Sequence, residues 1–373
     1  MVRYILIIIL ILLASPIYAT NFRQDSVKYP FTIGVKSHYG FIIIHSRAIR
    51  EIKDSYPIGF EIDFSWHQNG QKQWDNCHCY PRVGLMVNYF YFDNPEILGN
   101  GFSAVYYIEP FFGAHRKLSF STRAGAGLTY LTNPYDEVTN PNNLSYSTHL
   151  NSFLLIDLTV NYRISEKISL NVSGSYNHTS NGGIKVPNKG LNFPTAGLGI
   201  DYTYEPQEFI NWDKTKFKET GKKRQRLDMD MLGILKSYKH GEPLEHLIWG
   251  GSVNYSYQIG RLSALVGSTE LMVNGVVKEE MKRKGIQGVS HARVGLLFGH
   301  EFLMGRYHFS TQMGIYAYRP YVDNDYDLLY QRYKLTYRFA NGLYTGISLK
   351  AHRQVADYFD IRIGYSLEKI TPK

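Results

Sequence analysis

The dominant pattern along the chain is the alternation of apolar and polar side chains. In the stretch KISLNVSGSYNH, the apolar residues share one face of an extended strand; they are Ile168, Leu170, Val172 and Tyr176. The opposite face is polar and carries Ser169, Asn171, Ser173, Ser175 and Asn177. Because successive side chains of a strand point to opposite faces, one face suits hydrocarbon and the other suits water. The pattern predicts a β-strand that crosses a bilayer.

The same alternation recurs in segments of about ten residues, the length that a tilted strand needs to cross a bilayer. The predicted strands before residue 206 are 31–44, 57–66, 80–92, 101–113, 117–131, 149–163, 167–178 and 193–205. The predicted strands after it are 228–238, 246–258, 261–273, 289–303, 306–318, 328–339, 342–351 and 357–368. A soluble β-sandwich also alternates, but its strands are usually about 5 to 6 residues long.

The connections between these strands alternate in length. Those after even-numbered strands are mostly tight, as at 114–116, 164–166, 259–260, 304–305 and 340–341. Those after odd-numbered strands are mostly long, as at 45–56, 132–148, 179–192, 274–288 and 319–327. The exceptions are 67–79, 206–227 and the short connection after residue 351. The chain is therefore predicted to be all-β, a transmembrane antiparallel up-and-down β-barrel of about 12–16 strands with short periplasmic turns and longer extracellular loops.

The first residues have the pattern of a secretory signal peptide. Arg3 precedes an apolar run from Ile5 to Leu13, and Ala19 is the small residue before the expected cleavage point, with Ala14 as an alternative. The apolar run is too short to cross a bilayer as a helix. Residues 1–19 are therefore assigned to a signal peptide, and the predicted location is the outer membrane of a Gram-negative bacterium.

A basic segment without alternation divides the predicted strands. Residues 206–227 are interpreted as a linker or a periplasmic loop, between a barrel region at 20–205 and further strands at 228–373. We expect residues 228–373 to close the same barrel, because an open sheet edge in lipid leaves backbone groups unpaired. The alternative is that the first eight predicted strands close on their own.

Composition and charge narrow the range of functions. The net charge of +9 indicates either a well-solvated surface or attraction to an anionic surface such as phosphorylated lipid. Nucleic-acid binding is disfavoured, because the chain is predicted to be exported and contains no recognised nucleic-acid-binding module. The 31 tyrosines and 20 phenylalanines fit aromatic girdles at the membrane interfaces better than a carbohydrate platform.

No metal site or organic cofactor is predicted. Cys77 and Cys79 are separated by one residue, so we expect a bridge between them to be strained and assign no chemistry to the pair. The histidines outside the seventh strand do not cluster at metal-ligand spacing; examples are His115, His291, His300 and His352.

The candidate chemistry lies at the end of the seventh predicted strand. His178 and Ser180 are two residues apart, so their side chains point to the same side, the side of the apolar positions. Serine becomes an effective nucleophile when a neighbouring imidazole accepts its proton. Asn181, Gly182 and Gly183 offer an amide and closely approaching backbone N–H groups to a developing oxyanion. The stretch predicts ester hydrolysis on a substrate reached from the membrane, although two ordinary polar residues at a strand end would share this pattern.

The run HTSNGGIKVPNKG, from His178 to Gly190, resembles the signature of the outer-membrane lipid A 3-O-deacylases, PagL-like proteins often called acyloxyacyl hydrolases. The resemblance covers at most the first 205 or so residues. It implies that His178 is the base and Ser180 the nucleophile on the outside wall of a barrel, with Asn181, Gly182 and Gly183 near the oxyanion. It also implies lipid A or lipopolysaccharide as the substrate. Lys185, Asn188 and Lys189 are the predicted contacts to that substrate, the two lysines at its phosphates, and the alternative for the lysines is an ordinary solvated loop.

The chain departs from this family at the acid that orients the histidine. The family's acid falls twelve residues after the serine, where this chain has Asn192. An amide accepts a hydrogen bond from the imidazole but does not stabilise its cation as a carboxylate does. Asn192 is nevertheless the expected third member, and Asp136 and Glu137 in the preceding long loop are the alternatives.

The sequence therefore predicts an outer-membrane carboxylic-ester hydrolase that removes an ester-linked acyl chain from lipid A by a serine–histidine mechanism on the lipid-facing barrel wall. Two other functions stay open. One is a non-catalytic channel or structural barrel with a degenerate deacylase motif, and the other is an esterase acting on phospholipid. Association into a homodimer is also left open.

Overall fold

The computed structural model describes residues 29–210, 212–213, 222–239, 242–322, 328–353 and 355–372. The predicted signal peptide, residues 1–19, lies outside the described residues. The described part is built from antiparallel strands that form two closed barrels of eight strands each. The predicted fold class, an antiparallel up-and-down β-barrel with strands in this number range, is therefore confirmed.

The first barrel contains the strands that come first in the chain. They are β1 (Phe31–Gly40), β2 (Ile58–His67), β3 (Tyr80–Tyr91), β4 (Asn100–Phe112), β5 (Leu118–Leu131), β6 (Leu150–Arg163), β7 (Ile168–Ser180) and β8 (Leu191–Tyr204). Each strand pairs with the next one along the chain, and β1 pairs with β8 from Phe31↔Tyr204 to Gly40↔Thr195. This last pairing closes the barrel.

The second barrel has the same organisation. Its strands are β9 (Lys222–Lys236), β10 (His246–Gln258), β11 (Ser263–Asn274), β12 (Ala292–Met304), β13 (Tyr307–Tyr318), β14 (Leu329–Arg338), β15 (Leu343–His352) and β16 (Val355–Pro372). It closes through β9 and β16, which pair from Lys222↔Pro372 to Gly233↔Ile361.

Two predictions about domain organisation are wrong. Residues 228–373 do not complete the barrel of residues 20–205, because β1 already pairs with β8 and leaves that sheet without an edge for further strands. The need to pair every strand edge in lipid is instead met twice, once in each barrel. The predicted linker at 206–227 also extends too far towards the C-terminus, since β9 already begins at Lys222.

Helices are short and lie between strands. A 3₁₀ helix (Arg47–Ile52) lies in the connection from β1 to β2, α1 (Gln71–Cys77) lies between β2 and β3, and α2 (Gly275–Arg283) lies between β11 and β12. None of the described helices has the length and apolar character that a membrane-spanning helix needs.

A disulfide joins Cys77 at the end of α1 to Cys79, so the expectation of no chemistry at this pair is wrong. The residue between them, His78, has a left-handed backbone with φ of 52°. This turn ends the helix and brings the two Cα atoms to 5.0 Å, inside the ordinary range for a disulfide.

The alternation predicted from the sequence separates the two faces of the strands. In β7, Val172 is 58% exposed whereas its neighbour Ser173 is 5% exposed. The outward positions of both barrels are mostly apolar. The inward ones are mostly polar, with an apolar cluster in each barrel, around Phe90 in the first and Met272 in the second.

Paired charges fill part of the interior of the first barrel, beside an apolar cluster that includes Phe90, Phe153 and Phe193. Arg123 contacts Glu61 at 2.6 Å and Glu109 at 3.0 Å, and Arg82 contacts Glu109 at 2.8 Å and Asp201 at 2.7 Å. These groups are buried, and buried charges are tolerated when partners satisfy them. The interior is therefore a packed polar core and not an open pore.

The second barrel has an equivalent polar core. The Arg362 guanidinium contacts Asp230 and Asp360 at 2.8 Å each and Glu270 at 3.1 Å. Arg332 contacts Glu270 at 3.1 Å and Asp360 at 2.6 Å from the other side. Two arginines thus pair with three carboxylates in the lumen.

Removing a core arginine should destabilise the second barrel strongly. Arg362→Ala leaves three buried carboxylates without one of their cations, and we expect it to lower the free energy of unfolding by about 3–5 kcal/mol. The matched control is Arg224→Ala, which removes an exposed ion pair to Glu368 at 3.4 Å in the same barrel and should cost about 1 kcal/mol or less. Urea unfolding in lipid vesicles, followed by tryptophan fluorescence, measures both; equal costs would contradict the prediction.

Candidate active site

The pairing of β7 with β8 brings the motif residues together. His178 lies directly opposite Asn192 in the register of these two strands, which is why residues far apart along the loop become neighbours. Ser180 is the last residue of β7 and lies opposite Ser152 of β6, whose hydroxyl donates to the Ser180 carbonyl at 2.7 Å. The strand framework therefore fixes the backbone on which all three side chains stand.

The three side chains form a chain of hydrogen bonds. His178 Nε2 is 3.2 Å from Ser180 Oγ, and His178 Nδ1 is 2.6 Å from Asn192 Oδ1. An amide oxygen only accepts hydrogen bonds, so Nδ1 carries the proton that is donated to Asn192. Nε2 then faces the serine hydroxyl as an acceptor, which is the arrangement that a general base and its nucleophile require.

A further histidine, His45, extends this chain behind Asn192. The Asn192 amide Nδ2 donates to His45 Nδ1 at 3.2 Å, and His45 Nε2 donates to the Lys189 carbonyl at 2.8 Å. His45 Nδ1 also lies 3.2 Å from the Ile43 carbonyl, but the shorter contact is at Nε2 and we assign the proton there. His45 then accepts from the amide nitrogen, which turns the Asn192 oxygen towards His178.

No sequence pattern pointed to His45. It lies in the connection between β1 and β2, far along the chain from the motif, and reaches the site only because β1 pairs with β8. No spacing rule links it to His178. Pairing of the first strand with the eighth, if anticipated, would have placed the end of β1 next to the start of β8.

The loop from 181 to 190 covers the serine. Ser180 is 2% exposed, although it continues the outward-facing positions Leu170, Val172 and Tyr176. The Gly182 N–H donates to Ser180 Oγ at 3.3 Å. Gly182 and Gly183 have φ angles of 69° and 75°, a left-handed conformation that glycine adopts without steric cost.

The other predicted oxyanion donors are engaged within this loop. Asn181 Nδ2 donates to the Lys185 carbonyl at 2.7 Å and to Ser147 Oγ at 3.3 Å. The Gly183 N–H donates to Asn181 Oδ1 at 3.0 Å. Asn181, Gly182 and Gly183 therefore lie beside Ser180 as predicted, and the Gly182 N–H is the one of the three donors that points at the serine oxygen itself.

The residues predicted to bind substrate have different environments. Asn188 Oδ1 accepts from the Asn181 N–H at 3.1 Å and thereby closes the loop. The Lys189 backbone is held on both sides, by a bond from its N–H to the Leu144 carbonyl at 3.1 Å and by the bond from His45. The side chain of Lys189 is exposed and that of Lys185 is half-buried.

Asp136 and Glu137, the alternative partners for the histidine, are both exposed. The Asp136 carboxylate oxygen Oδ1 accepts from the Val138 N–H at 3.0 Å, the Thr139 N–H at 2.9 Å and the Thr139 hydroxyl at 3.0 Å. Asp136 thus stabilises its own turn, whereas Asn192 contacts the imidazole. Among the described residues, no group of three or more histidine, cysteine or acidic side chains is placed to hold a metal ion.

Comparison with known families matches both barrels. Residues 54–201 match the family model for lipid A 3-O-deacylase (PagL), and residues 225–369 match the model for the acyloxyacyl hydrolase C-terminal domain. Together the two matches take in most of the chain. The chain belongs to the lipid A 3-O-deacylase family. The C-terminal-domain match coincides with the second barrel, and the motif on β7 lies inside the deacylase match.

Solved structures similar to this chain are outer-membrane barrels. The crystal structure of the outer membrane enzyme PagL shares 15% identity over 44% of this chain and 97% of that chain, with a TM-score of 0.34. Neisserial surface protein A shares 10% identity over 47% of this chain and 97% of that chain, also with a TM-score of 0.34. Identities and scores at this level carry no argument about function. A search of curated protein sequences found no match.

The tautomer of His178 provides a direct test of the hydrogen-bond chain. In the wild type, the neutral His178 ring should carry its proton on Nδ1, and Asn192→Leu should abolish this preference because the acceptor is lost. Long-range ¹H–¹⁵N correlation spectra of the histidine-labelled protein in micelles report the tautomer.

His149 is the internal control for that measurement. Its Nδ1 donates to the Leu131 carbonyl at 2.9 Å and has no bond to Asn192, so its tautomer should be the same in both proteins. A His178 ring that keeps the Nδ1 proton in Asn192→Leu would contradict the assignment.

Proposed function

We propose that this protein is a carboxylic-ester hydrolase of the outer membrane that removes an ester-linked acyl chain from lipid A. The observation that carries the proposal is the position of His178 between Ser180 Oγ at 3.2 Å and Asn192 Oδ1 at 2.6 Å. Membership of the lipid A 3-O-deacylase family supports the choice of substrate.

In the proposed reaction, His178 Nε2 accepts the proton of the Ser180 hydroxyl while Oγ bonds to the ester carbonyl carbon. The carbonyl oxygen becomes an oxyanion, and the Gly182 N–H beside Oγ is the nearest donor to it. When the intermediate collapses, the ester C–O bond breaks and His178 returns the proton to the leaving alkoxide of the glycolipid. Water, deprotonated by His178, then releases the fatty acid and restores Ser180.

The facing of the site supports a lipid substrate. His178 and Ser180 occupy the outward positions of β7, in line with Val172 and Tyr176, which are 58% and 45% exposed. This face borders the hydrocarbon in which an acyl chain lies, and the loop from 181 to 190 has to uncover Ser180 before an ester reaches Oγ. We therefore propose that catalysis occurs on the lipid-facing wall and not in the lumen.

The channel alternative is disfavoured by the interior of both barrels. Paired buried groups occupy the centre of each lumen, Arg123 with Glu61 and Glu109 in the first and Arg362 with Asp230 and Glu270 in the second. A conducting pore would require these ion pairs to separate, which leaves buried charges without partners.

The decisive test is the lipid A of cells that express the protein. Cells with the wild type should lose one hydroxyacyl chain from lipid A, and cells with Ser180→Ala should retain it, because the nucleophile is absent. Mass spectrometry of extracted lipid A makes the comparison.

Ser173→Ala is the matched control, since Ser173 lies on the same strand but faces the interior and is 5% exposed. This variant should resemble the wild type. Identical lipid A from wild-type and Ser180→Ala cells would refute the proposed activity.

Asn192 and His45 should be coupled. Asn192→Asp restores a carboxylate of nearly the same shape, which stabilises the imidazolium, and should raise kcat by up to about 10⁴-fold. A carboxylate has no N–H end to orient, so His45→Ala should then have little effect. In the wild-type background, His45→Ala should lower kcat about tenfold, since contacting residues show coupling of this size.

Initial rates of lipid A deacylation by the detergent-solubilised enzyme measure these four proteins. Equal effects of His45→Ala in both backgrounds would show that His45 does not act through the Asn192 amide.

A further inference from the structure

The second barrel contacts the loop that covers Ser180. The Gly182 carbonyl accepts a hydrogen bond from the Phe359 N–H of β16 at 3.0 Å. The Ile184 carbonyl accepts two, from the Ser237 N–H at 3.1 Å and from Ser237 Oγ at 3.0 Å. The loop from 181 to 190 is thus bonded to β16 and to the residue that directly follows β9. These are the two strands whose pairing closes the second barrel.

This contact occurs where β9 and β16 separate. Their pairing ends at Gly233↔Ile361, yet β9 continues to Lys236 and β16 begins at Val355. The last residues of β9 stay paired with β10 on their other side, as in Leu235↔Leu247. The two strand ends therefore diverge. Backbone N–H groups that would donate to the opposite strand in a continued ladder are left at the gap without that partner. The loop carbonyls satisfy two of these donors, as a strand edge near lipid requires.

The fit at this gap is close. A Cβ atom added to Gly182 would lie 1.8 Å from Cδ2 of the Phe359 ring, and one added to Gly183 would lie 2.6 Å from the Asp357 carbonyl oxygen. Both glycines are therefore needed for contact with the second barrel as well as for their left-handed backbone.

The contact fixes the orientation of one particular peptide group. The Gly182 carbonyl and the Gly183 N–H belong to the same planar trans peptide, so they point in opposite directions. Binding of the carbonyl by Phe359 turns the Gly183 N–H towards the Asn181 side of the loop, where it donates to Oδ1 at 3.0 Å. Between two glycines a peptide can flip with little steric resistance, so an external partner has a large effect on it.

Two further contacts align the barrels side by side. The rings of Tyr106 on β4 and Tyr307 on β13 have centroids 6.4 Å apart. Arg261, in the turn between β10 and β11, donates to the Asp75 carbonyl of α1. Tight turns such as 259–262 lie at the rim opposite the candidate site, so the barrels touch at both ends and between them.

We propose that the second barrel is a positioning unit for the active-site loop. Its open seam between β9 and β16 holds the Gly182 and Ile184 carbonyls, and thereby sets the direction of the Gly182–Gly183 peptide beside Ser180. Phe359 and Ser237 are positioning residues, because they act through the loop and do not touch the reacting atoms. The role assigned to the loop rests on the proposed deacylase function, whereas the contact itself does not.

A rescue experiment tests the proposal in the full chain. Gly182→Ala should lower kcat by about 10²-fold, because its Cβ meets the Phe359 ring and displaces the residue whose own N–H donates to Ser180 Oγ, and this is the size of effect seen when an oxyanion donor is misplaced. Removing that ring in Gly182→Ala/Phe359→Ala should recover at least part of the loss. Phe359→Ala alone keeps the backbone N–H and should lower kcat more than it raises KM, since the loop peptide and not substrate affinity is disturbed.

The control for rescue is Phe302→Ala, which removes an exposed phenylalanine from β12 of the same barrel and should recover nothing in the Gly182→Ala background. The control for left-handed strain is Gly305→Ala, at a φ of 66° with no atom within 4 Å of the added Cβ, and it should leave kcat unchanged. If Phe359→Ala fails to rescue any activity, or Phe302→Ala rescues equally, the proposal is overturned.

A cysteine pair reports the contact without any need for activity. Ile184→Cys/Ser237→Cys places thiols at the backbone-bonded positions, and oxidation in the outer membrane should join them, as detected by mass spectrometry of the proteolysed protein. Ile184→Cys/Ser263→Cys, with the second thiol at the opposite end of the barrel, should not join. A missing cross-link in the first pair overturns the inference. If the double-cysteine variant cross-links but the wild type leaves lipid A unchanged, the proposed function is overturned and the contact stands.

Discussion

Every backbone group on a strand edge in lipid needs a partner, and this requirement organises the whole molecule. It closes β1 onto β8 and β9 onto β16, so that each set of eight strands becomes an independent barrel. It also accounts for the contact between the barrels. Closure is incomplete beyond Gly233↔Ile361, and at that seam the first barrel contributes the carbonyls of its own loop.

Closure also brings the candidate site together. His45 follows β1, the first strand of the barrel, and Asn192 lies in β8, the last. Only the pairing of these two strands places the ends of a long sequence interval at hydrogen-bonding distance. His178, on the neighbouring strand, is then held by a network whose members come from three different strands or their connections. If the barrel opened between β1 and β8, the hydrogen bond between His45 and Asn192 would break, while His178 and Ser180 would stay together on β7.

The sequence predicted those features of the structure that depend on residues close together along the chain. Alternation located all the strands of both barrels, because the facing of a strand depends on its own residues. The motif from His178 to Gly190, together with the position twelve residues after Ser180, likewise pointed to side chains that the fold brings together, His178, Ser180 and Asn192. The sequence could not show which strand pairs with which at closure, because two barrels of eight and one of sixteen have the same alternation. The failure to find His45 has the same origin, and so does the failure to anticipate the seam that meets Gly182.

Asn192 links the hydrogen-bond chain of the site to the contact between the barrels, because it is an amide and not a carboxylate. A carboxylate presents acceptors on both oxygens and holds an imidazole proton in either orientation, whereas an amide does so only with its oxygen turned inwards. The amide therefore needs a partner that stabilises this orientation. His45 does so by accepting a hydrogen bond from the amide nitrogen. His45 in turn is oriented by the Lys189 carbonyl, which belongs to the loop that the second barrel holds through Gly182 and Ile184. With an amide and no carboxylate beside His178, the orientation of Asn192 depends on an ordered loop, and the second barrel provides a surface on which that loop is ordered.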